Sequence, residues 1–338
     1  MRRELEQLLL SRFPALYRDT GECGQERPPI FGADLGDGWF AILQALSEVL
    51  AERVEQAQLE NVRVLRIERL EGGMQAHVSG EDAFVRGAAA AASHMSFAVS
   101  MQSGKPGRLM TNDGGELRAL ASGELEGWKP VPKAAKRRHP APVGADGTRA
   151  LRLLEQRYEH LINDGIDLPS GWANLAEVVL APFLVSTNEV ELIAAWDSGS
   201  ACQLIVSRKR KHLSPYQSGG IAFAVRMAAL TDPQTGACGP VDAEGVPDWW
   251  RRIAGPGGPH PTPWGVYNGD GVWRPRKDIF SGPASCHPRP KPVIRAHHFE
   301  SGAVQLTIHK GAANVMRGMA RRHGKPGCAA LLAELLRL

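Results

Sequence analysis

The sequence contains no apolar run approaching the ~20 residues that span a bilayer. Its first residues, MRRELEQLLLSRF, carry acids within an amphipathic pattern. They lack the unbroken apolar stretch and small-residue cleavage site of a secretory signal. The expectation is a soluble cytoplasmic protein. Cysteine is scarce as well: Cys23, Cys202, Cys238, Cys286 and Cys328 make an odd set, with no two at a CxxC spacing. That argues against a disulfide framework and fits a reducing compartment. The common catalytic signatures are missing too. There is no GxxxxGK[ST] phosphate loop, no GxGxxG opening a helix after a strand, no GxSxG elbow and no HExxH.

What is present is ordinary globular material. The 338 residues are 43% hydrophobic and 22% charged, enough for two or three domains and too apolar for a disordered chain. The net charge of +4 conceals two halves of opposite sign. Residues 1–128 hold 13 Lys/Arg against 19 Asp/Glu, and residues 129–338 hold 27 against 17. A basic half attracts phosphate backbones or an acidic protein surface.

Composition divides the chain. Residues 126–148, EGWKPVPKAAKRRHPAPVGADGT, combine proline, glycine and a basic cluster, and read as a linker. This leaves an acidic unit at 1–125, a second unit at 149–255 with a basic insertion loop, and a partial third unit at 256–338 with a Pro/Gly-rich lead-in. Within the first unit, residues 2–12 suit a short helix. Asp37 then stands as an N-cap for a helix whose Trp39, Ile42, Leu43, Leu46, Val49 and Leu50 fall on one face. Strands at 62–69 and 74–78 flank a tight Glu71-Gly72-Gly73 turn. An alanine-rich helix runs from Glu81 to Phe97.

This order recurs. VLRIERLEGG (64–73), VELIAAWDSG (190–199) and VIRAHHFESG (293–302) share a leading Val, an apolar seventh residue, an acid at the eighth and a Gly at the tenth. Helical stretches follow at 81–97, 221–231 and 312–322. Gly38-Trp39 and Gly171-Trp172 open the preceding helices of units one and two. GKPG recurs at 104–107 and 324–327. The expected fold class is α+β: repeated helix–β-hairpin–helix units, two clear and one partial. Tight turns between adjacent strands argue against parallel βαβ winding.

Four stretches of the first unit carry a family likeness: Arg12-Phe13-Pro14-Ala15-Leu16, Gly36-Asp37-Gly38-Trp39-Phe40, Glu71-Gly72-Gly73-Met74 and Ser100-to-Arg108. Over about residues 1–125 the chain resembles a family of small proteins common in proteobacteria, their phages and prophages. That family has a Gly-Asp-Gly-Trp-Phe helix start and a Phe-Gly-Gly-Leu hairpin. A helix then leads into Cys-x-x-Cys-Gly and a Cys-x-x-His pair. The resemblance implies a zinc knuckle, since Zn²⁺ takes four soft ligands tetrahedrally. Here the four positions fall on Ser100, Ser103, Ala121 and Glu124, so the loop is expected to be a degenerate, metal-free knuckle. The family brings no activity with it.

Candidate binding residues are basic. Arg208, Lys209, Arg210, Lys211 and His212, with Tyr216 close by, form one cluster; Lys133, Lys136, Arg137 and Arg138 form another. Arg and Lys neutralise phosphates and aromatic rings stack bases, so these residues suit nucleic acid or an acidic partner surface. Cys286, His287, His297, His298, His309, His323 and Cys328 gather in the last 55 residues. Their only close pairs are adjacent in sequence, and adjacent strand residues point to opposite faces, which is poor metal-ligand spacing. The acids Glu71, Asp197 and Glu300 suit turns better than catalysis. No metal, cofactor or catalytic residue is expected. The first functional reading is a non-catalytic binding protein of phage or mobile-element type, docking onto a protein partner, for example a host defence complex. The alternatives are a nucleic-acid-binding protein using the basic half and an enzyme with a His/Cys site in 286–328.

Overall fold

The computed structural model describes residues 1–17, 30–131, 147–159, 168–181, 190–196, 202–208, 214–254, 265–267, 273–275, 294–298 and 304–308. It divides into two compact units, Met1–Phe280 and Ser281–Leu338. The architecture is helices with small antiparallel sheets, as α+β implies. No helix among the described residues is long and apolar enough to cross a membrane.

In the first unit, α1 (Arg3–Arg12) and the single turn α2 (Pro14–Tyr17) lead to a 3₁₀ turn at Asp37–Trp39 and then α3 (Phe40–Ala57). Strands β1 (Val64–Leu70) and β2 (Gly73–Val78) follow, then α4 (Ala83–Ser96). A three-stranded sheet comes next, in the order β4-β3-β5: β3 is Gly107–Thr111, β4 Leu117–Ala121 and β5 Lys129–Pro130. The chain resumes with α5 (Gly147–Arg157), a 3₁₀ turn at Ser170–Trp172 and α6 (Ala173–Leu180). Strands β6 (Val190–Trp196) and β7 (Cys202–Arg208), α7 (Pro215–Leu230) and α8 (Asp248–Ala254) complete the order. A short hairpin, β8 (Gly265–Tyr267) with β9 (Trp273–Pro275), precedes the second unit. There β10 (Ile294–His298) pairs antiparallel with β11 (Val304–Ile308), in the register Ile294 to Ile308 and His298 to Val304.

The local causes are legible. Leu70 pairs with Gly73, and Glu71 (φ 50°) and Gly72 (φ 84°) fill a two-residue turn of the left-handed kind that matches strand twist. The carboxylate of Asp82 caps α4 by accepting from the Val85 N–H at 3.0 Å. Ser214 caps α7 and exchanges hydrogen bonds with Gln217 in a capping box, with Pro215 at the first helical position. Asp37 does not cap its helix as its position suggested. It lies inside the 3₁₀ turn, and its carboxylate accepts from the backbone N–H of Arg2 at 2.6 Å and pairs with the Arg2 guanidinium. The backbone at 129–131 is also more ordered than its composition implies: Thr111 pairs with Lys129, and Val131 is buried.

Residues on both sides of the 132–146 stretch share one core. Leu5, Leu9, Trp39, Ile42 and Leu46 belong to the same buried cluster as Leu154, Tyr158, Trp172, Phe223 and Met227. Two tryptophans anchor it. Trp39 donates its indole N–H to the Val99 carbonyl, and Trp172 donates to the Thr231 carbonyl, each at 3.1 Å and across 60 and 59 residues respectively. Buried indoles need such a partner.

Among the described glycines, the tightest approach joins α4 to α7. A Cβ on Gly87 would stand 1.9 Å from the carbonyl oxygen of Tyr216, and one on Gly219 would stand 1.9 Å from that of Phe84. Only hydrogen fits at either place. Gly87→Ala and Gly219→Ala are each expected to cost about 3 kcal/mol, the upper end of overpacking. Gly123→Ala, which meets nothing within 4 Å, should stay within about 0.5 kcal/mol. Urea midpoints of the three variants check this; equal midpoints would refute the crossing.

Candidate functional site

The loop after α4 is the most densely bonded polar site in the first half. Ser100 donates its backbone N–H to Lys105 O (2.8 Å), and Gly104 N–H returns to Ser100 O (2.9 Å). Gly104 takes φ 67°, which favours glycine. The Ser100 hydroxyl accepts from the backbone N–H groups of Gln102 and Ser103, both at 3.2 Å. It donates to Glu124 Oε2 at 2.6 Å, and that oxygen also accepts the Ala121 N–H at 3.0 Å. Ser100 and Ser103, some twenty residues earlier, and Ala121 therefore gather around the Glu124 carboxylate.

The donor set does not fit zinc. Two hydroxyls, a methyl group and one carboxylate stand where four thiolate or imidazole ligands would be needed, and the carboxylate is already committed to hydrogen bonds. Burial alone would raise the Glu124 pKa. The bonds from Ser100, Ser103 and the Ala121 amide outweigh it and hold the group below the usual carboxylate range. Among the described residues, no group of three or more His, Cys, Asp and Glu side chains could hold a metal ion.

A second loop, after α7, has the same hydrogen-bond plan. Asp232 N–H donates to Ala237 O (2.9 Å) and Gly236 N–H to Asp232 O (2.8 Å), with Gly236 at φ 74°. The Asp232 carboxylate accepts from the Gln234 amide (2.9 Å) and the Thr235 hydroxyl (2.7 Å). Each loop receives a helix start: Gly38 N–H donates to Met101 O (2.8 Å), and Gly171 N–H to Pro233 O (3.0 Å). The two loops touch. Cys238 donates its backbone N–H to Gly104 O at 2.8 Å and its thiol to the same oxygen at 3.2 Å. Full burial pushes that thiol up to about 12, so it is inert rather than nucleophilic.

Buried charge lies elsewhere. Along α3, Gln44, Glu48, Glu52 and Gln56 recur at every fourth residue. Gln44 accepts from Arg12 (3.3 Å) and donates to Glu48 (3.1 Å), and Gln56 donates to Glu52 (2.9 Å). Arg226 of α7 ion-pairs with Glu52 and lies 4.0 Å from Glu48. Desolvation raises the Glu52 pKa and lowers that of Arg226, each against the pull of the other. In α6, Glu177 accepts from Arg157 (2.8 Å) and the Tyr158 hydroxyl (2.9 Å). Its second oxygen, and the amide oxygen of Asn174 one turn earlier, are buried with no hydrogen-bond partner among the described residues. Burial raises the Glu177 pKa. Charge spacing of this kind on α3 was readable in the sequence, since residues four apart share a helix face. It was hidden because apolar residues also fall on every side of the first half of α3.

The basic candidates are not brought together among the described residues. Arg208 ends β7, paired with Val190. Tyr216 lies in the first turn of α7, exposed, with its carbonyl against Gly87. Lys209, Arg210, Lys211, His212, Lys133, Lys136, Arg137 and Arg138 lie outside the described residues. So do Cys286, His287, His309, His323 and Cys328, and the helix expected at 312–322. His297 and His298 occupy β10, paired with Gln305 and Val304.

No family model, curated protein or solved structure matches the chain.

The carboxylate at the first loop gives a pH test. A folded pKa held below the unfolded value adds stability above the unfolded pKa, and this is lost as pH falls through the folded one. Glu124→Gln should therefore be less stable than the parent at pH 7. The gap should narrow as pH falls below ~4, the ordinary carboxylate value. Thermal melts at pH 7, 5 and 3 measure it, and a gap that widens on acidification would contradict the assignment.

Proposed function

We propose that the protein is a non-catalytic docking protein, made from two copies of one helix–hairpin–helix unit with a degenerate knuckle loop after each pair of helices. What carries the reading is the fate of the polar groups at the knuckle loops. Ser100, Glu124, Asp232 and Thr235 bond to each other and to backbone, and Cys238 is buried against Gly104 O. The hydroxyls, thiol and carboxylates are used to hold shape. A site arranged for chemistry keeps a nucleophile, base or metal ligand in reach of substrate. The matched Trp–carbonyl bonds, the matched loops and the shared 3₁₀ helix starts support the two-copy reading. A unit that needs no metal is stabilised instead by its mate, because the two share one core.

The partner class proposed is a protein surface, of the kind met by phage or mobile-element proteins that bind host complexes. The basic second half makes nucleic acid the competing reading. Affinity capture from a bacterial lysate, with nuclease and a salt series, separates them. A stoichiometric protein retained through nuclease and salt is the expected outcome. Retention should survive reversing the charges of Arg208, Lys209, Arg210 and Lys211. Nucleic acid that leaves with a log–log salt slope of about 0.9 per phosphate contact would overturn the docking reading.

The knuckle reading has its own test. Ser100→Cys, Ser103→Cys, Ala121→Cys and Glu124→His together should make the loop take up one Zn²⁺ per chain, measured by elemental analysis after gel filtration. A folded variant that takes up none would refute it.

A further inference from the structure

The surface that joins the two halves is built as a subunit interface is built. Its contacts are reciprocal. Gly87 of α4 meets the carbonyl of Tyr216, while Gly219 of α7 meets the carbonyl of Phe84. Phe84 precedes Gly87 by three residues, as Tyr216 precedes Gly219. The loops repeat the exchange. Gly104 packs on Gly239 and accepts from Cys238, while Gly236 packs on Pro106. Pro106 follows Gly104 by two residues, as Cys238 follows Gly236. In an isologous contact, residue i of one copy meets j of the other and j meets i. That signature is met here at two separate places.

The surface also carries one element that breaks the reciprocity. Arg226 crosses from α7 to Glu52 and Glu48 on α3, and all three are buried or nearly so. The matching position on α4 is His94, which precedes Met95 as Arg226 precedes Met227. The matching position to Glu48 on the second half is Ala181, nine residues after Trp172 as Glu48 is nine after Trp39. Glu52, the ion-pair partner of Arg226, is thirteen residues after Trp39, and the residue thirteen after Trp172 is Val185. Two copies of the second half would therefore offer Arg226 no acid at either place, leaving a buried guanidinium without the acids it meets here. Removing one partner of a buried ion pair is strongly destabilising. The apolar and glycine contacts make the halves associate, and the charge decides which half joins which.

We infer that the α3/α4 face of residues 1–131 is a dimer interface turned inward, holding residues 147–254 without need of the peptide between them. Its fitting partner is a unit of the same build that carries a cation at the Arg226 position. The common origin of the two faces rests on the two-copy reading, whereas the association stands on the contacts alone.

The test uses the full-length chain with a protease site placed within 132–146. After cleavage, verified on a denaturing gel, the halves should co-elute in gel filtration at the mass of the uncut chain. Mixing cut chains with and without a tag on the N-terminal half should give only particles with one half of each kind. Halves that elute apart after cleavage would overturn the inference. Particles with two N-terminal or two C-terminal halves would overturn the charge selection. Arg226→Ala should release the halves at lower urea than the cut parent. Arg226→Lys should recover part of the difference, and equal release for both would also overturn the charge selection. Superposing the two halves in an experimental structure judges the two-copy reading separately. Halves that co-elute but do not superpose would remove the common origin and leave the association standing.

Discussion

Two backbones meeting with nothing between them is the constraint on which the first compact unit depends. At Gly87 and Gly219, helices α4 and α7 approach until a carbonyl oxygen of each occupies the space a methyl group would need on the other. So close a crossing brings every neighbour in. It sets Gly220 beside Ala91 and lets the loops following both helices touch through Gly104 and Cys238. It also carries Arg226 far enough across to reach Glu52. Small residues at a crossing give up side-chain burial and gain close contact between the helices themselves. The buried residues of both halves then form a single core.

That core holds more charge than a core usually does. The polar ladder of α3 begins on a stretch, Phe40 to Leu50, that is buried on every side, and its groups bond to one another, to Arg12 and to Arg226. Such groups gain little stability over a well-packed apolar set. Their contribution lies in pairing: they match one α3 with one α7. The loops after α4 and α7 show the same economy of polar groups. In the first, the Ser100 hydroxyl accepts two amide protons and donates its own to Glu124. The loop shape is held by these hydrogen bonds.

Much of the local structure could be read from the residues. The two-residue turn at Glu71-Gly72, the helix starts at Gly38-Trp39 and Gly171-Trp172, and helices α4 and α7 after the hairpins β1–β2 and β6–β7 obey short-range rules of turn chemistry and period. Asp37 shows where such rules stop. Its side chain was free to cap its own helix, but the arrival of Arg2 from 35 residues away offered it a cation and a backbone N–H together. The composition of 126–131 pointed to linker, yet Thr111 lay within reach to pair with Lys129. In both places a long-range partner outcompeted the local preference.

The sequence by itself determined the helix before and the helix after the first hairpin, the antiparallel hairpins at 64–78, 190–208 and 294–308, and the absence of a thiolate set from the loop at Ser100. Each of these follows from neighbours a few residues apart; the sheet of β3, β4 and β5 and helices α5 and α8 carried no such mark. Only the tertiary structure decided that the acidic and basic halves share a core, that Gly87 and Gly219 are crossing points rather than helix weaknesses, and that Glu48 and Glu52 face an arginine from the other half. Those facts depend on which surfaces meet, and residues far apart in sequence carry no local mark of the partner they will touch.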